Sequence, residues 1–257
     1  MSKDVVRQIF VVIATLVTFV INGLANALPL NGLTTGEVSD SFKVFFVPSG
    51  YVFAIWGLIY LLLIGYTIFQ ALPAQREHSV LRKIGWWYVV ASAANSIWIF
   101  MWHYQQFPLT LVFMGLLLGS LIAIYLPLGI ARKPAAMSEK LFIRLPFSVY
   151  LGWITVATIA NISDVLYYLN WNGFGLDPQL WAVIMLAAAL VIAAIMAVNR
   201  RDAAYLAVLI WAFVGIAVKF PANPVVSISA WAAAGVTGVL VILSLIWSPK
   251  PVALPAK

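Results

Sequence analysis

The sequence contains no cysteine, only two histidines and few charged residues, which make up 9% of its 257 positions. The absence of cysteine excludes disulfides, thiolate chemistry and cysteine-based zinc sites. Two histidines are too few for the common metalloenzyme sites, and no Ser/His/Asp set or paired carboxylates are visible. We therefore predict no catalytic residues and no metal site. The low charge content also argues against a soluble domain, since soluble domains carry about 25% charged residues.

Apolar residues dominate what is present: 64% of the chain is hydrophobic, and the mean hydropathy is +1.01. A chain of this length cannot bury that much apolar surface in a water-soluble core. Its apolar segments reach the roughly 20 residues that a bilayer-spanning helix requires, and strands with open edges are excluded in hydrocarbon. We expect the first segment to be retained, because no small-residue cleavage site follows it. The predicted fold is an all-α integral membrane protein with eight transmembrane helices, at about 8–29, 49–72, 84–104, 108–129, 145–169, 179–199, 202–220 and 225–247.

The Lys and Arg residues alternate between the predicted connections. All of them except Lys43 and Lys219 lie near the two termini or in the second, fourth and sixth connections, with Lys250 and Lys257 at the C-terminal side. Cytoplasmic loops carry the excess of Lys and Arg, so both termini are predicted to be cytoplasmic. The net charge of +7 therefore indicates topology and not nucleic-acid binding. We expect a multi-pass protein of the bacterial cytoplasmic (inner) membrane.

The longest connection on the opposite side, the outer loop, covers residues 30–48. It contains Thr, Ser and Gly turn signals, followed by Phe42, Phe45 and Phe46. Such a loop could fold over the helix ends as a lid. It could equally be an amphipathic connector that lies among the lipid headgroups.

Several polar side chains fall at membrane depth, in the predicted outer halves of their helices. Asn22 and Asn26 are four residues apart and therefore share a face of the first helix. Asn95 lies in the third helix, and Asn161 and Asp164 share a face of the fifth. Each asparagine could simply bond to a neighbouring helix. An ionisable residue within a span is a functional-site hypothesis by default, although Asp164 could also serve as a pairing residue.

Tryptophan is abundant, with 11 residues, and three of these lie inside the spans that carry the polar groups. They are Trp56, Trp98 and Trp153 in the second, third and fifth spans. Flat aromatic walls with few polar anchors suit a large, planar, apolar ligand, although ordinary helix packing is an alternative. At the helix ends, His103 is expected at the membrane interface, and Lys219 is expected to extend towards the headgroups.

Three short motifs occur in order on the second, third and fifth spans: PSGYVFAIWGLIY, AANSIWIFMW and WITVATIAN. In these motifs and the long first loop the chain resembles the TspO/MBR family, the tryptophan-rich sensory proteins related to the translocator (peripheral benzodiazepine receptor) protein. Ser49 stands where that family commonly has a second proline, and Tyr51 where it has tryptophan. The residues that carry the resemblance are Pro48, Tyr51, Phe53, Trp56, Tyr60, Asn95, Trp98, Trp153, Ala157 and Asn161.

The resemblance covers about residues 8–172. It implies a five-helix bundle over residues 1–172, with outer loop 30–48, followed by three additional transmembrane helices over 173–257. It also implies a pocket among the five helices, closed by the first loop, that binds tetrapyrroles such as porphyrin or sterol-like lipids. No cofactor is required, and porphyrin or haem would be a ligand. His103 could be an axial ligand of haem iron.

We therefore predict a membrane receptor or sensor for a planar hydrophobic ligand. The expected partners are this small molecule, membrane lipids and a second copy of the chain, through small-residue helix faces such as Gly115 and Gly119. The predicted ligand-binding residues are Asn26, Tyr51, Trp56, Tyr60, Asn95, Trp98, Trp153, Ala157, Asn161 and Asp164.

Three alternatives were weighed against this prediction. A small-solute or lipid transporter would use Asp164 as a proton carrier together with the interior asparagines, but no internal repeat is apparent. A retinal protein would need Lys219 as its Schiff-base lysine, and the position of that residue at a helix end argues against it. An enzyme of porphyrin photochemistry rests on family analogy alone.

Overall fold

The computed structural model describes residues 2–28 and 30–246, and within these ranges the regular structure is helical throughout. Four positions used in the sequence analysis lie outside the described residues. They are the last residues of the first and eighth predicted spans, Pro29 and Trp247, and the C-terminal Lys250 and Lys257. In chain order the helices are α1 (Lys3–Ala27), α2 (Thr35–Asp40), α3 (Ile55–Ala71), α4 (Ser79–His103), α5 (Phe107–Leu128), α6 (Met137–Glu139), α7 (Leu145–Tyr168), α8 (Pro178–Arg200), α9 (Ala203–Lys219) and α10 (Pro224–Ile246).

Helix length and composition make the chain a helical integral membrane protein. Among the described residues, seven helical segments are at least 18 residues long and apolar enough to cross a membrane. The helix α9 is equally apolar but has 17 residues. At about 1.5 Å per residue it falls a few ångströms short of a hydrocarbon core roughly 30 Å thick. Each predicted span overlaps one of these eight helical segments, with boundaries that differ by a few residues.

Five of the helices form a closed ring. The helix α1 packs against α3 and α4, α4 against α5, α5 against α7, and α7 against α3. Of the membrane-length segments, the one that includes α7 is the most buried. Many polar side chains on α7 are therefore buried within the protein, where an unpaired polar group is costly.

The last three helices contact the ring mainly through α9, which packs on α7, while α8 and α10 pack against α9 and each other. The chain just before α3 also meets α9 closely. Ser49 donates from its backbone N–H and its hydroxyl to the Gly215 carbonyl, both at 3.1 Å. Any side chain at Gly215 would collide with Val52 and Pro48, so this approach requires glycine.

Buried aromatic side chains fill one half of the five-helix bundle, the half that holds the end of α3 and the starts of α4 and α7. Tyr66, Tyr88 and Phe147 lie with ring centroids 4.9–5.9 Å apart, in edge-on contacts. All three side chains are almost completely buried. We call this group the inner aromatic cluster, because the basic connections that predict the cytoplasmic side lie at this end of the ring.

A buried carboxylate joins the last helices to the ring at the same end. Asp202 caps the N-terminus of α9, and its Oδ1 accepts from the Tyr205 backbone N–H at 3.1 Å. Its Oδ2 accepts from the Tyr125 hydroxyl on α5 at 2.7 Å and from the Ser148 hydroxyl on α7 at 2.6 Å. Charge-assisted hydrogen bonds are the strong ones, so Asp202 holds three helices in register.

We expect Asp202→Ala to destabilise the protein far more than Asp177→Ala. Both carboxylates cap a helix, but Asp177 is exposed and accepts one backbone bond, from Gln179. Removing Asp202 leaves buried hydroxyls unpaired and costs about 3 kcal/mol or more, whereas losing an exposed cap costs about 1 kcal/mol. Thermal unfolding in detergent should show a drop in Tm of roughly 6 °C or more for Asp202→Ala. Equal shifts for the two variants would contradict the role of Asp202.

Candidate functional site

The outer loop contains a helix that starts with a complete cap. Thr34 accepts from the Glu37 backbone N–H at 3.3 Å, and Glu37 Oε2 accepts from the Thr34 backbone N–H at 2.7 Å. The bond from the Thr34 backbone N–H, and after it the bond that the Thr34 hydroxyl donates to Oε2 at 2.8 Å, hold the pKa of the Glu37 carboxyl below its ordinary value. The cap fixes α2 as one and a half turns of helix, and two of its residues, Thr35 and Ser39, line a cavity.

One edge of the loop is fastened to the end of α4 through His103. His103 Nδ1 lies 3.0 Å from the Leu30 carbonyl, to which it must donate, and in the neutral ring Nε2 then accepts from the Thr35 hydroxyl at 3.0 Å. The Asn31 side chain donates to the His103 carbonyl at 3.0 Å, and Trp102 Nε1 donates to the Thr35 carbonyl at 3.2 Å. His103 is the last residue of α4, and these contacts bury it beneath the loop. Both of its ring nitrogens are used, so it fits the role of a loop anchor and not that of a haem ligand.

A second fastening joins the loop to α9. Lys219 Nζ lies 2.6 Å from Asp40 Oδ1, in an ion pair whose side chains are 22% and 58% exposed, respectively. Phe45 packs edge-on against Phe220 beside it, with ring centroids 5.1 Å apart. We call the Asp40–Lys219 pair the latch. The side chain of Lys219 therefore has a protein partner, in addition to its position at the helix end.

Beneath the fastened loop lies a cavity of about 50 Å³, between the outer halves of α4 and α7 and the start of α3. Its floor and walls come from the ring, and its roof comes from the loop. The lining residues are Thr35, Ser39, Val47, Pro48, Phe53, Trp98, Trp102, Trp153, Val156, Ala157, Ala160, Asn161 and Asp164.

Four aromatic side chains line the cavity as two pairs. Trp98 and Trp102 are stacked on α4, with ring centroids 5.2 Å apart and planes inclined by 18°. Phe53 and Trp153 meet edge-on, with centroids 5.8 Å apart. Aromatic faces carry partial negative charge, so these rings provide an apolar surface that also attracts a cation.

Asn161 links the cavity wall to two helices. Its Oδ1 accepts from Trp98 Nε1 at 3.1 Å, and its Nδ2 donates to the Thr110 hydroxyl on α5 at 2.8 Å. These bonds orient the indole of Trp98 and join α4, α5 and α7. Asn161 therefore serves as the helix cross-link that the sequence allowed, and it also borders the cavity.

Asp164 differs from every other polar residue in the cavity wall. It is 2% exposed, and its Oδ1 has no hydrogen-bond partner among the described residues. An ionisable side chain at this depth is costly unless something pairs with it. Asp164 lies one helical turn beyond Asn161, as their shared face predicts, so its carboxylate borders the same cavity.

The structure brings five of the predicted ligand-binding residues together. Trp98, Trp153, Ala157, Asn161 and Asp164 all line the cavity, on α4 and α7. The other five predicted residues lie outside the cavity: Asn26, Tyr51, Trp56, Tyr60 and Asn95.

The two asparagines among these five residues make hydrogen bonds away from the cavity. Asn26 is exposed and donates back to the Asn22 carbonyl at 3.0 Å, one turn earlier. Asn95 is buried and accepts from Asn22 Nδ2 at 2.8 Å, which links α1 to α4. Asn26 thus faces away from the ring interior, and Asn95 is a helix–helix contact.

The three aromatic residues outside the cavity form the surroundings of its wall. Trp56 stacks on Tyr60 at 5.4 Å and meets Trp153 edge-on at 6.4 Å, so it supports the cavity wall from behind. Tyr51 is 47% exposed and packs against Trp211 of α9 at 5.4 Å. Its ring covers the contact between α9 and the start of α3.

Sequence reasoning missed Thr35, Ser39, Phe53 and Trp102 as cavity residues. A signal existed for α2, because Thr34 and Glu37 have the spacing of a capping box, which would place Thr35 and Ser39 on one face of the helix. Trp102 follows Trp98 by four residues, the spacing of helical neighbours. Phe53 lies in a motif that carried the family resemblance, but its direction depends on the turn before α3.

A larger cavity of about 200 Å³ lies beside the first, between the outer loop and the connection from α7 to α8. Its only charged lining residue is Lys43, which is exposed. It is the larger of the two cavities beside the outer loop. The buried, unpartnered carboxylate and the aromatic pairs favour the smaller one, and recognition depends on such groups.

Comparison with known proteins gives one match. The model of a family described as TSPO-like protein matches residues 8–243. The match extends past residue 172 and includes α8, α9 and most of α10. No curated protein and no solved structure matches the chain.

We expect Asp40→Asn to expose the cavity. The latch is partly exposed, and such ion pairs contribute about 1 kcal/mol at most, so opening should increase up to about fivefold. Because the chain lacks cysteine, Ala157→Cys provides a unique thiol in the cavity wall. Its rate of modification by a water-soluble maleimide should rise by that factor when Asp40→Asn is added.

A charge exchange controls for the latch experiment. Asp40→Lys combined with Lys219→Asp restores the pair with reversed polarity and should return the labelling rate to that of the Ala157→Cys parent. A rate in Asp40→Asn equal to the parent, or an exchange variant that labels as fast as Asp40→Asn, would show that the ion pair does not hold the loop.

Proposed function

We propose that this chain, which belongs to the TSPO-like protein family, is a membrane receptor or sensor. The buried aromatic cavity under the fastened loop supports this proposal. Its ligand would be a hydrophobic small molecule, bound in the outer half of the five-helix ring. One observation carries this proposal. Asp164, whose Oδ1 has no hydrogen-bond partner among the described residues, borders the same cavity as the Trp98–Trp102 and Phe53–Trp153 pairs. Such a site offers apolar contact and one strong polar anchor, which is the general character of ligand pockets.

The inner aromatic cluster favours a receptor over a transporter. A solute that crossed the five-helix bundle from the cavity would have to pass Tyr66, Tyr88 and Phe147, whose aromatic side chains pack edge-on in the inner half. These three side chains come from three different helices of the bundle and are almost fully buried. Transport would require this packing to open. A receptor needs only the loop at the other end to move.

The size of the cavity limits how a tetrapyrrole or sterol-like lipid could bind. The closed cavity of about 50 Å³ is far below the roughly 300–1,000 Å³ of pockets for drug-sized ligands. A planar ligand of this class would therefore bind only when the outer loop moves away from the cavity. His103 fastens that loop with both ring nitrogens, so haem iron would gain this ligand only if the loop were released.

Eight membrane-spanning helices, with both ends in the cytoplasm, complete the proposed arrangement. The alternation of connections rich in Lys and Arg supports this arrangement. Polar contacts that gather at each end of the bundle support it as well. Arg82 pairs with Asp4 at the end of the inner aromatic cluster, and Arg132 donates to the Asn199 carbonyl there. A homodimer remains part of the proposal: among the described residues, no part of another helix comes within 4 Å of where a side chain at Gly115 or Gly119 would begin.

Quenching of tryptophan fluorescence by protoporphyrin IX tests the proposed site. We expect saturable quenching of the detergent-purified protein, weakened roughly tenfold in Trp153→Ala, since a lost aromatic contact costs about 1.4 kcal/mol. The matched control is Trp231→Ala, which also removes one of the 11 tryptophans but from the exposed face of α10. Its affinity should equal that of the wild type.

A latch variant should change protoporphyrin binding in the opposite direction from Trp153→Ala. If the planar ligand binds to the open state, Asp40→Asn should strengthen protoporphyrin binding by up to about fivefold, because less free energy is spent on opening. Linear quenching that is the same in all variants would contradict the proposed site. Saturable binding that Trp231→Ala weakens and Trp153→Ala does not would place the ligand elsewhere.

A further inference from the structure

We infer that the closed cavity binds a small organic cation, a methylated ammonium group, with Asp164 as its counter-charge and the tryptophan and phenylalanine faces as its walls. This inference rests on the proposed function, because it names a ligand class for the same site. It concerns the closed state, in which the loop stays fastened and a tetrapyrrole is too large to enter.

The balance of charge around the cavity favours a cation. Among the described residues that line the cavity, Asp164 is the only ionisable one. Lys219 acts on it electrostatically, but its ammonium group is bonded to Asp40 at 2.6 Å. With Asp164 ionised, Asp40, Asp164 and Lys219 would together carry one net negative charge, and Oδ1 of Asp164, which has no partner among the described residues, marks where that charge would lie. A ligand cation would supply one.

The aromatic walls favour a methylated cation over a strongly hydrated one. Trp98 and Trp102 offer stacked indoles on α4, and Trp153 and Phe53 face the cavity from α7 and the start of α3. Ring faces attract organic cations electrostatically, by about 2 kcal/mol or more where water is excluded, and indole is the strongest of these groups. Methyl groups on the ammonium would in turn bury apolar surface against Val156 and Ala157.

The volume agrees with this ligand class. About 50 Å³ corresponds to roughly three to five water-sized sites, since one water needs about 10–15 Å³. Tetramethylammonium and trimethylammonium are of this order of size. A larger amine would fit only with its ammonium group in the cavity and its remaining atoms beneath a displaced loop.

Tetramethylammonium is the probe, and tert-butanol is its neutral counterpart of similar size. In a maltoside detergent, which carries no ammonium group, we expect tetramethylammonium to raise the Tm of the wild-type protein by a few degrees in a saturable way. Calorimetric titration should give a matching affinity. Tert-butanol should give neither effect. This comparison uses the wild-type chain alone and therefore does not depend on how any variant folds.

Two substitutions locate the cation. Asp164→Asn keeps the shape of the side chain and removes its charge, so tetramethylammonium should bind at least tenfold more weakly. The matched control is Asp177→Asn, which neutralises an exposed carboxylate at the start of α8 and should bind as the wild type does. Trp102→Leu should also weaken binding, since it removes one indole of the stacked pair.

The inference is overturned if tetramethylammonium does not bind the wild type, if tert-butanol binds equally well, or if Asp164→Asn leaves the affinity unchanged. Its failure is distinguishable from failure of the proposed function. Protoporphyrin quenching that remains saturable and sensitive to Trp153→Ala would keep the site as a receptor for neutral ligands. Loss of both signals would remove the site itself.

Discussion

The scarcity of water inside a membrane bundle is the constraint on which this structure depends. A buried polar side chain there must bond within the protein, and several bond to another helix: Asn22 bonds to Asn95, and Asn161 to Trp98 and Thr110. Each of these bonds fixes how two or three helices are rotated against one another. The stability of the ring and the shape of its interior therefore come from the same side chains. A polar atom that is left out of this system is conspicuous for the same reason.

The outer loop connects this packing to the site. It is held at one edge by His103 of α4 and at the other by α9, so its position depends on two helices from different parts of the chain. The helix α9 also contacts the start of α3 through Gly215. The helices after residue 172 were predicted as an addition to a five-helix bundle. Through α9 they contribute to closing its cavity, and the family match covers them as well.

Hydropathy and helical spacing predicted the spans, and they placed Trp98, Trp153, Asn161 and Asp164 at a common depth, because both signals are local in sequence. Spacing could not give the rotation of α1, where Asn26 bonds back along its own helix and turns away from the ring. Contacts between the loop and α9 also lacked a local signal. They join segments far apart in sequence, and their polar atoms look like ordinary loop residues until the helices are packed.

The separation of the two latch residues has a consequence for biosynthesis. Asp40 and Lys219 are 179 residues apart. At about 5–20 residues per second, roughly 10–40 s pass between their syntheses. During that interval the five ring helices can already insert and assemble, with the loop held at its His103 edge alone. A ribosome that pauses before α9 is complete would thus leave a membrane intermediate with an incompletely closed cavity, accessible to chaperones and proteases on the side of the outer loop.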